Sequence, residues 1–253
     1  MAESIKNSRS KLSDFRKKSR GGVVRGVRIV YGDGAVVDRI AQSDMDFIYL
    51  DQQHGTISIR DIYEIVALLA TYDILVLVRT PDQRALNIGL ALDAGAHGVI
   101  APDIESAGQA QAFVSNTRYP PSGNRSWGAF AAGQLGYSSP VEAVDPICWV
   151  LIESPKGVED IGEISAIKGV DGIYIGRYDL ALSLDIPFSN IGKDEDHNAV
   201  IASVRSAAEK VGLPIGTSGE FAQLRSQGFR ILTVPSELEL LSRGLATYLS
   251  SES

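Results

Sequence analysis

Eight short apolar runs, each followed by a segment with helical apolar spacing, constrain this chain more than any other feature of its sequence. The runs occupy residues 23–30, 47–50, 74–78, 98–101, 147–152, 172–175, 213–216 and 230–234. The helical patterns occupy 35–43, 59–72, 84–94, 106–116, 158–167, 197–211 and 221–227, and a last one, 237–249, follows the eighth run. Such alternation implies parallel strands joined by crossover helices and buried on both faces. Eight units is the count that closes a barrel, and 253 residues is the size of one such domain. A doubly wound open sheet would need no eighth unit. The predicted fold class is therefore α/β, a (β/α)8 TIM barrel forming a single domain over 1–253.

Both termini lie outside the eight units. Residues 1–20 carry Lys6, Arg9, Lys11, Arg16, Lys17, Lys18 and Arg20, with Ile5, Leu12 and Phe15 as apolar anchors. This basic extension reads as a helix covering one end of the domain, since Glu3 and Asp14 interrupt a transit-peptide pattern. Residues 235–250 read as a C-terminal helix. Two connections are longer than a barrel requires: 118–145, rich in Gly, Pro and Ser, and 185–196. The first follows a helix, so it starts at the N-terminal face of the barrel, from which it either wraps back or serves subunit contacts.

The totals exclude several classes of function. A net charge of -7 speaks against a nucleic-acid or anionic-membrane surface and for a small-molecule partner. No apolar run approaches the roughly 18 residues that span a bilayer, and the start of the chain lacks a signal-peptide apolar core. With Cys148 alone, no intrachain disulfide can form, which fits a reducing cytoplasm. Cys148 opens an apolar strand and reads as a buried structural thiol.

Active residues of such barrels sit at the C-terminal ends of the strands. There the chain offers Asp51 to Gly55 after the second run, Arg79 at the third, Pro102 and Asp103 after the fourth, Glu153 after the fifth, Asp179 after the sixth, and Thr217 to Glu220 after the seventh. Within 148–179, two apolar runs flank a helix and form a βαβ unit, so Glu153 and Asp179 leave the same sheet edge. Two hard carboxylates suit Mg²⁺ or Mn²⁺, and the want of a second His or a Cys beside them disfavours zinc. Each could instead cap the helix after its strand or pair with Arg177 or Lys156. His54, in a polar loop, is placed either for proton transfer or simply on the surface, whereas His97 and His197 look structural. Arg79 closes an apolar strand, where a guanidinium needs an anion: a substrate carboxylate, a developing enolate or an internal Asp. None of the eight lysines falls in a run, which removes a Schiff-base mechanism, and neither a P-loop nor GxGxxG is present. The Gly-Thr-Ser-Gly stretch at 216–219 could form an anion-cradling turn at a helix N-terminus.

Several spaced segments match a known family in order: DFIYLDQQHG, LVRTP, ALDAGAHGVIAPDIESAGQA, TRYPPSGNRSWG, VLIESPKGVEDI and GVDGIYIGRYDLALSL. Over roughly residues 20–245 the chain resembles the HpcH/HpaI family of metal-dependent, pyruvate-utilising class II aldolases. The resemblance implies a (β/α)8 barrel assembled as a trimer or hexamer, with C-terminal helices often exchanged between subunits. It implies Glu153 and Asp179 as ligands of a divalent cation, Mg²⁺ or Mn²⁺ with Co²⁺ as a further candidate. Arg79 would bind the keto oxygen and stabilise the enolate, His54 would be the acid/base, and Asp93 would orient it. Asp51 would shape the mouth, and Pro102, Asp103, Gly176, Arg177 and Tyr178 would hold the keto acid.

The resemblance thus implies a lyase that joins or splits pyruvate enolate and an aldehyde, with oxaloacetate decarboxylation as a side activity. A carboligase of macrophomate-synthase type, or a catalytically silent keto-acid-binding barrel, are the alternatives. The chain departs from the family pattern at Gln53, where many members carry Glu, at Leu151, where several carry Gln, and at Arg177, where Pro is usual. These departures bear on the electrophile more than on the enolate machinery.

Overall fold

Each apolar run forms a strand, and the strands' alternating side chains sort the apolar residues into an inner and an outer core. The computed structural model describes residues 2–129, 131 and 143–250. Strands β1 (Val24–Ile29), β2 (Phe47–Asp51), β3 (Leu75–Arg79), β4 (Gly98–Ala101), β5 (Ile147–Ile152), β6 (Gly172–Ile175), β7 (Ile215–Ser218) and β8 (Ile231–Val234) pair in sequence order. All pairs are parallel, and β8 returns to β1. The (β/α)8 barrel expected from the repeat count is the architecture observed.

Helix α1 (Ala2–Gly21) precedes the barrel, and α2 (Gly34–Ala41), α3 (Ile59–Leu68), α4 (Ala85–Asp93) and α5 (Ala107–Thr117) follow the first four strands. After β5 come α6 (Pro155–Glu159) and α7 (Ile161–Ala166); after β6, α8 (Arg177–Ser183) and α9 (Glu195–Lys210); then α10 (Phe221–Ser226) and α11 (Glu237–Ser250). Local chemistry starts several of them. Ser58 and Asp61 form a capping box at α3, and Asp33, Ser106, Ser154 and Asp194 cap α2, α5, α6 and α9. The segment 158–167, expected as one helix, is interrupted at Asp160, whose Oδ2 accepts the Ala107 N–H at 2.6 Å. Among the described residues, no helix is long and apolar enough to cross a membrane.

Between strands and helices lie Ile29, Ile48, Val76, Val150 and Ile173, packed with Ile62, Ile88, Phe113 and Val204. The barrel interior is filled by Val24, Phe47, Tyr49, Leu77, Trp149, Tyr174 and Ile231. Its floor is closed by α1, which contributes Leu12 and Phe15 to that interior. The Phe15 ring meets Phe47 edge-on at 5.9 Å and stacks on Trp149 at 6.1 Å. Three basic residues of α1 fasten it to the floor. Lys11 donates to the carbonyls of Tyr72 and Ile74 at 3.0 and 2.9 Å, and Arg16 forks onto Asp171 at 2.8 and 3.0 Å. Lys18 pairs with Asp46. The starts of β2, β3 and β6 are thereby tied to one helix.

The loop 118–145 leaves α5 at this same floor, with Arg118 paired to Asp145 at 3.4 Å. Whether it wraps back or serves a subunit contact depends on 132–142, which lie outside the described residues.

Because Phe15 is the barrel's floor, Phe15→Ala should leave a cavity beneath Trp149 and cost about 3–5 kcal/mol. Urea unfolding followed by Trp fluorescence is expected to show a lower midpoint at unchanged slope.

Candidate active site

At the open end, the register of β2 and β3 sets Asp51 beside Arg79. Both side chains belong to the inward-facing set and are buried. Arg79 donates through Nε to Asp51 Oδ1 at 2.8 Å and through Nη2 to Oδ2 at 2.5 Å, a fork-to-fork pair. Nη1 carries no hydrogen bond among the described residues. Asp51 Oδ1 also accepts the N–H groups of Gln53 and His54 at 3.1 and 3.2 Å. That folds the loop so that His54 stands exposed on the rim. Gly55 is required in this turn, because a Cβ there would lie 2.3 Å from the Asp51 carbonyl oxygen. Burial alone would raise the Asp51 pKa, but the Arg79 hydrogen bonds and the Arg79 and Arg28 charges hold it below the ordinary carboxylate range. The same contacts overcome burial at Arg79 and raise its pKa further. Of the anions open to Arg79 from sequence, the structure supplies the internal one, Asp51.

The β4–β6 side of the rim carries the opposite imbalance. Glu153, buried just beyond β5, accepts the Asp103 N–H at 3.0 Å. Burial, then the neighbouring Asp103 and Asp179, push its pKa up to about 8. Neither alternative cation is its partner: Lys156 pairs with Glu105 at 3.5 Å, and Arg177 makes no ion pair among the described residues. Gly176 lets the carboxylate sit here, since a Cβ at that position would fall 2.3 Å from Glu153 Oε2. Asp103 occupies a left-handed φ of +52°, a strained setting for a residue other than glycine. Gln83 holds this turn by donating to the carbonyls of Pro102 and Asp103 at 2.8 and 2.7 Å. Asp179 lies exposed in the first turn of α8.

This acid set suits a hard divalent cation. Glu153 is a carboxylate whose pKa is raised first by burial, and Asp179 and Asp103 add oxygen donors beside it. Sulfur plays no part: Cys148 lies in the outer core with its thiol pushed up to about 11 by burial. No cluster of three or more His, Cys, Asp or Glu side chains is preassembled for a metal among the described residues.

The profile of the family described as HpcH/HpaI aldolase/citrate lyase matches residues 32–237. The chain belongs to this family. It is 32% identical over 216 residues to a hydroxypyruvate/pyruvate aldolase of Rhizorhabdus wittichii, covering 81% of this chain and 84% of that one. It is 30% identical over 219 residues to a 2-keto-3-deoxy-L-rhamnonate aldolase of Escherichia coli, covering 83% and 81%. A solved HpcH/HpaI aldolase/citrate lyase family protein from Burkholderia cenocepacia superposes with a TM-score of 0.84 at 26% identity, covering 94% of this chain and 98% of that one.

Among the residues the family resemblance pointed to, His54, Arg79, Asp51, Pro102, Asp103, Glu153, Gly176, Arg177, Tyr178 and Asp179 all gather at the open end of this HpcH/HpaI barrel. Asp93 does not. It is the last residue of α4, which descends from the rim, so it sits at the floor, where Arg125 Nη2 donates to its Oδ1 at 2.6 Å. It cannot orient His54 of its own chain. The Gly-Thr-Ser-Gly turn is also corrected: 216–218 are strand, with Thr217 buried and donating to the Ile175 carbonyl at 3.0 Å, and α10 spans only six residues. His97 and His197 are structural as expected. Burial lowers His97 to about 4, and its Nδ1 accepts the Val76 N–H at 3.0 Å; His197 Nε2 donates to the Arg177 carbonyl at 3.2 Å.

Two rim residues escaped the sequence reading. One is Gln83, and the other is Arg28, whose Nε lies 3.1 Å from Asp51 Oδ2. Arg28 was visible in principle, because it shares the inward parity of Val24, two steps on from Gly26.

The raised Glu153 pKa carries a sign. The metal-free protein keeps this contribution to stability below about pH 4.5 and loses it progressively as pH climbs toward about 8. Over that interval the melting temperature of Glu153→Gln should gain on that of the wild type, as read by scanning fluorimetry, and millimolar MgCl₂ or MnCl₂ should rescue the wild type alone. Titration calorimetry is expected to show metal affinity rising by up to about tenfold per pH unit, with proton release on binding.

Proposed function

We propose that this chain is a divalent-metal-dependent carbon–carbon lyase, joining or splitting pyruvate, as its enolate, and an aldehyde. The observation that carries the reading is Glu153, a buried acid without an ion-pair partner among the described residues, at the same rim as the Arg79–Asp51 fork. Its kinship with aldolases supports the reaction class. A Mg²⁺ or Mn²⁺ held by Glu153 and Asp179 would supply Lewis acidity to the keto acid and draw charge toward its C2 oxygen.

The chain's own residues account for the remaining steps. In the cleavage direction, His54 takes the proton from the C4 hydroxyl of a 4-hydroxy-2-keto acid. The C3–C4 electron pair moves toward C2, and the aldehyde departs. Arg79 offers Nη1 to the C2 oxygen as negative charge grows there, and the fork to Asp51 fixes that donor before the charge appears. Because the pair is already formed and buried, little reorganisation accompanies the step. A proton from water adds to the enolate at C3 and releases pyruvate, and exposed His54 returns the hydroxyl proton to water. The rim around Pro102, Asp103, Gly176, Arg177 and Tyr178 would hold the keto-acid carboxylate.

The absence of lysine from every strand supports a route without covalent attachment. A cytoplasmic trimer or hexamer fits the same reading. The exposed Leu241, Leu245, Tyr248 and Leu249 of α11 support exchange of that helix between copies.

In D₂O, the protein with MnCl₂ should exchange the C3 protons of pyruvate, followed by proton NMR. Exchange is expected to vanish with EDTA and in Glu153→Ala, and to fall about 10²–10³-fold in Arg79→Lys, as for loss of one oriented donor. Borohydride should fix no substrate to the protein. Exchange that survives both EDTA and Glu153→Ala would refute the proposal.

A further inference from the structure

The turn that bears Asp179 starts without the chemistry that starts its neighbours. Ser and Asp side chains cap α2, α3, α5, α6 and α9, but α8 begins at Gly176, which has no side chain to offer. The glycine is imposed, because a Cβ there would fall 2.3 Å from Glu153 Oε2. Asp179 adds no restraint of its own. Its exposed carboxylate makes no hydrogen bond or ion pair among the described residues, and Ser183 Oγ reaches only its carbonyl oxygen, at 2.8 Å. Where that carboxylate points is therefore set by the backbone of a seven-residue helix.

The holding comes from outside the helix, from residues 188–197. His197 Nε2 donates to the carbonyl of Arg177, the first residue of α8, at 3.2 Å. Arg177 also lays its guanidinium over Gly192, where φ is +81° and a Cβ would lie 3.0 Å from Arg177 Nη2. Tyr178 meets the Phe188 ring edge-on at 5.4 Å. Both residues that precede Asp179 in the helix are thus held by the connection at 185–196 and the histidine that ends it, a connection longer than a barrel requires. His197 is the member with a fixed base. It is fully buried, Asp194 Oδ1 accepts its backbone N–H at 3.0 Å, and the helix that carries it packs Val204 and Ala208 into the outer core. With Nε2 as the donor, Nδ1 is left buried without a partner among the described residues. Burying an imidazole with one nitrogen unsatisfied costs stability; its one side-chain hydrogen bond goes to the turn that bears Asp179.

We propose that His197 is a positioning residue for the cation: it fixes the first turn of α8 and thereby the reach of Asp179 toward Glu153. This rests on the metal reading above and adds the residue that keeps the two acids in register. Groups that orient metal ligands from behind typically change metal affinity by about 10–100-fold when removed.

The test removes the Nε2 donor without emptying the site. In His197→Gln the amide nitrogen stands where Nε2 stood, whereas in His197→Asn it stops short, near Nδ1. Titration of the metal-free protein with MnCl₂ in a calorimeter should give His197→Gln an affinity within about threefold of the wild type, and His197→Asn one weaker by about tenfold or more. A purely structural role would not produce that split, because a variant still folded at the assay temperature binds metal through local geometry alone. In deuterium exchange without metal, the amides of 180–183 should exchange about fivefold faster in His197→Asn and stay near the wild-type rate in His197→Gln. Wild-type Mn²⁺ affinity in His197→Asn, equal weakening in the two variants, or unchanged exchange at 180–183 in His197→Asn overturns the proposal. Should His197→Asn not fold, Asp194→Ala, which loosens the seat of His197 and leaves its ring in place, is expected to weaken Mn²⁺ binding about threefold, and no change there overturns the proposal as well. If the wild type takes up no Mn²⁺, the lyase reading falls by itself, and the exchange measurement still decides whether His197 holds the turn.

Discussion

The fork between Arg79 and Asp51 is the contact on which the open end of this barrel depends. Two buried ions are tolerable in a protein interior when each satisfies the other in good geometry, and adjacent positions on paired strands supply that geometry without loop adjustment. Asp51 then does two more things with the same oxygens. It gathers the N–H groups of Gln53 and His54 and so shapes the loop that bears the histidine, and it draws Arg28 toward the mouth. Removing this one carboxylate would leave two guanidiniums facing each other and a loop without its anchor. Arg79 and the loop that bears His54 both trace back to it.

Across the barrel the charge balance is reversed. Burial, with the neighbouring Asp103 and Asp179, pushes Glu153 well out of its ordinary range, and among the described residues no ion pair relieves it. The rim is thus divided into a positive side on β1–β3 and a negative side on β4–β6. The two halves are in electrical contact, since Arg79 senses Glu153 across the mouth. Arg177 stands at the edge of the acidic half, with its pKa lowered by burial. There it forms no ion pair among the described residues.

Nearly all of the scaffold was legible in the sequence, because parallel strands buried on both faces read as continuous apolar runs. The reading slipped where the barrel interior is polar. The seventh strand was placed at 213–216 instead of Ile215–Ser218, since Thr217 and Ser218 look like loop residues until Thr217 is seen to satisfy the Ile175 carbonyl. Arg28 was lost in the opposite way, hidden inside a run taken to be uniformly apolar. Asp93 was assigned by resemblance, against the polarity of its own helix: the ninth residue of a helix that starts at the rim has moved about 12 Å toward the floor. Gln83 carried no signal at all, because its role is to hold two backbone carbonyls that only the fold brings together.

The layering inside the barrel explains why these charges must act outward. Above the aromatic floor of Phe15, Phe47 and Trp149 comes a layer of hydroxyls: Tyr49 and Tyr174 meet edge-on at 6.1 Å, Tyr174 bonds Thr233, and Thr233 donates to the Thr217 carbonyl at 3.1 Å. Burial raises the pKa of both phenols, so they stay neutral beneath the ions and add no competing charge. A cation or carboxylate in the top layer therefore finds dipoles below and partners beside it, but no counter-ion underneath. Any charge that the rim leaves unmatched can be met only from above, by what binds at the mouth.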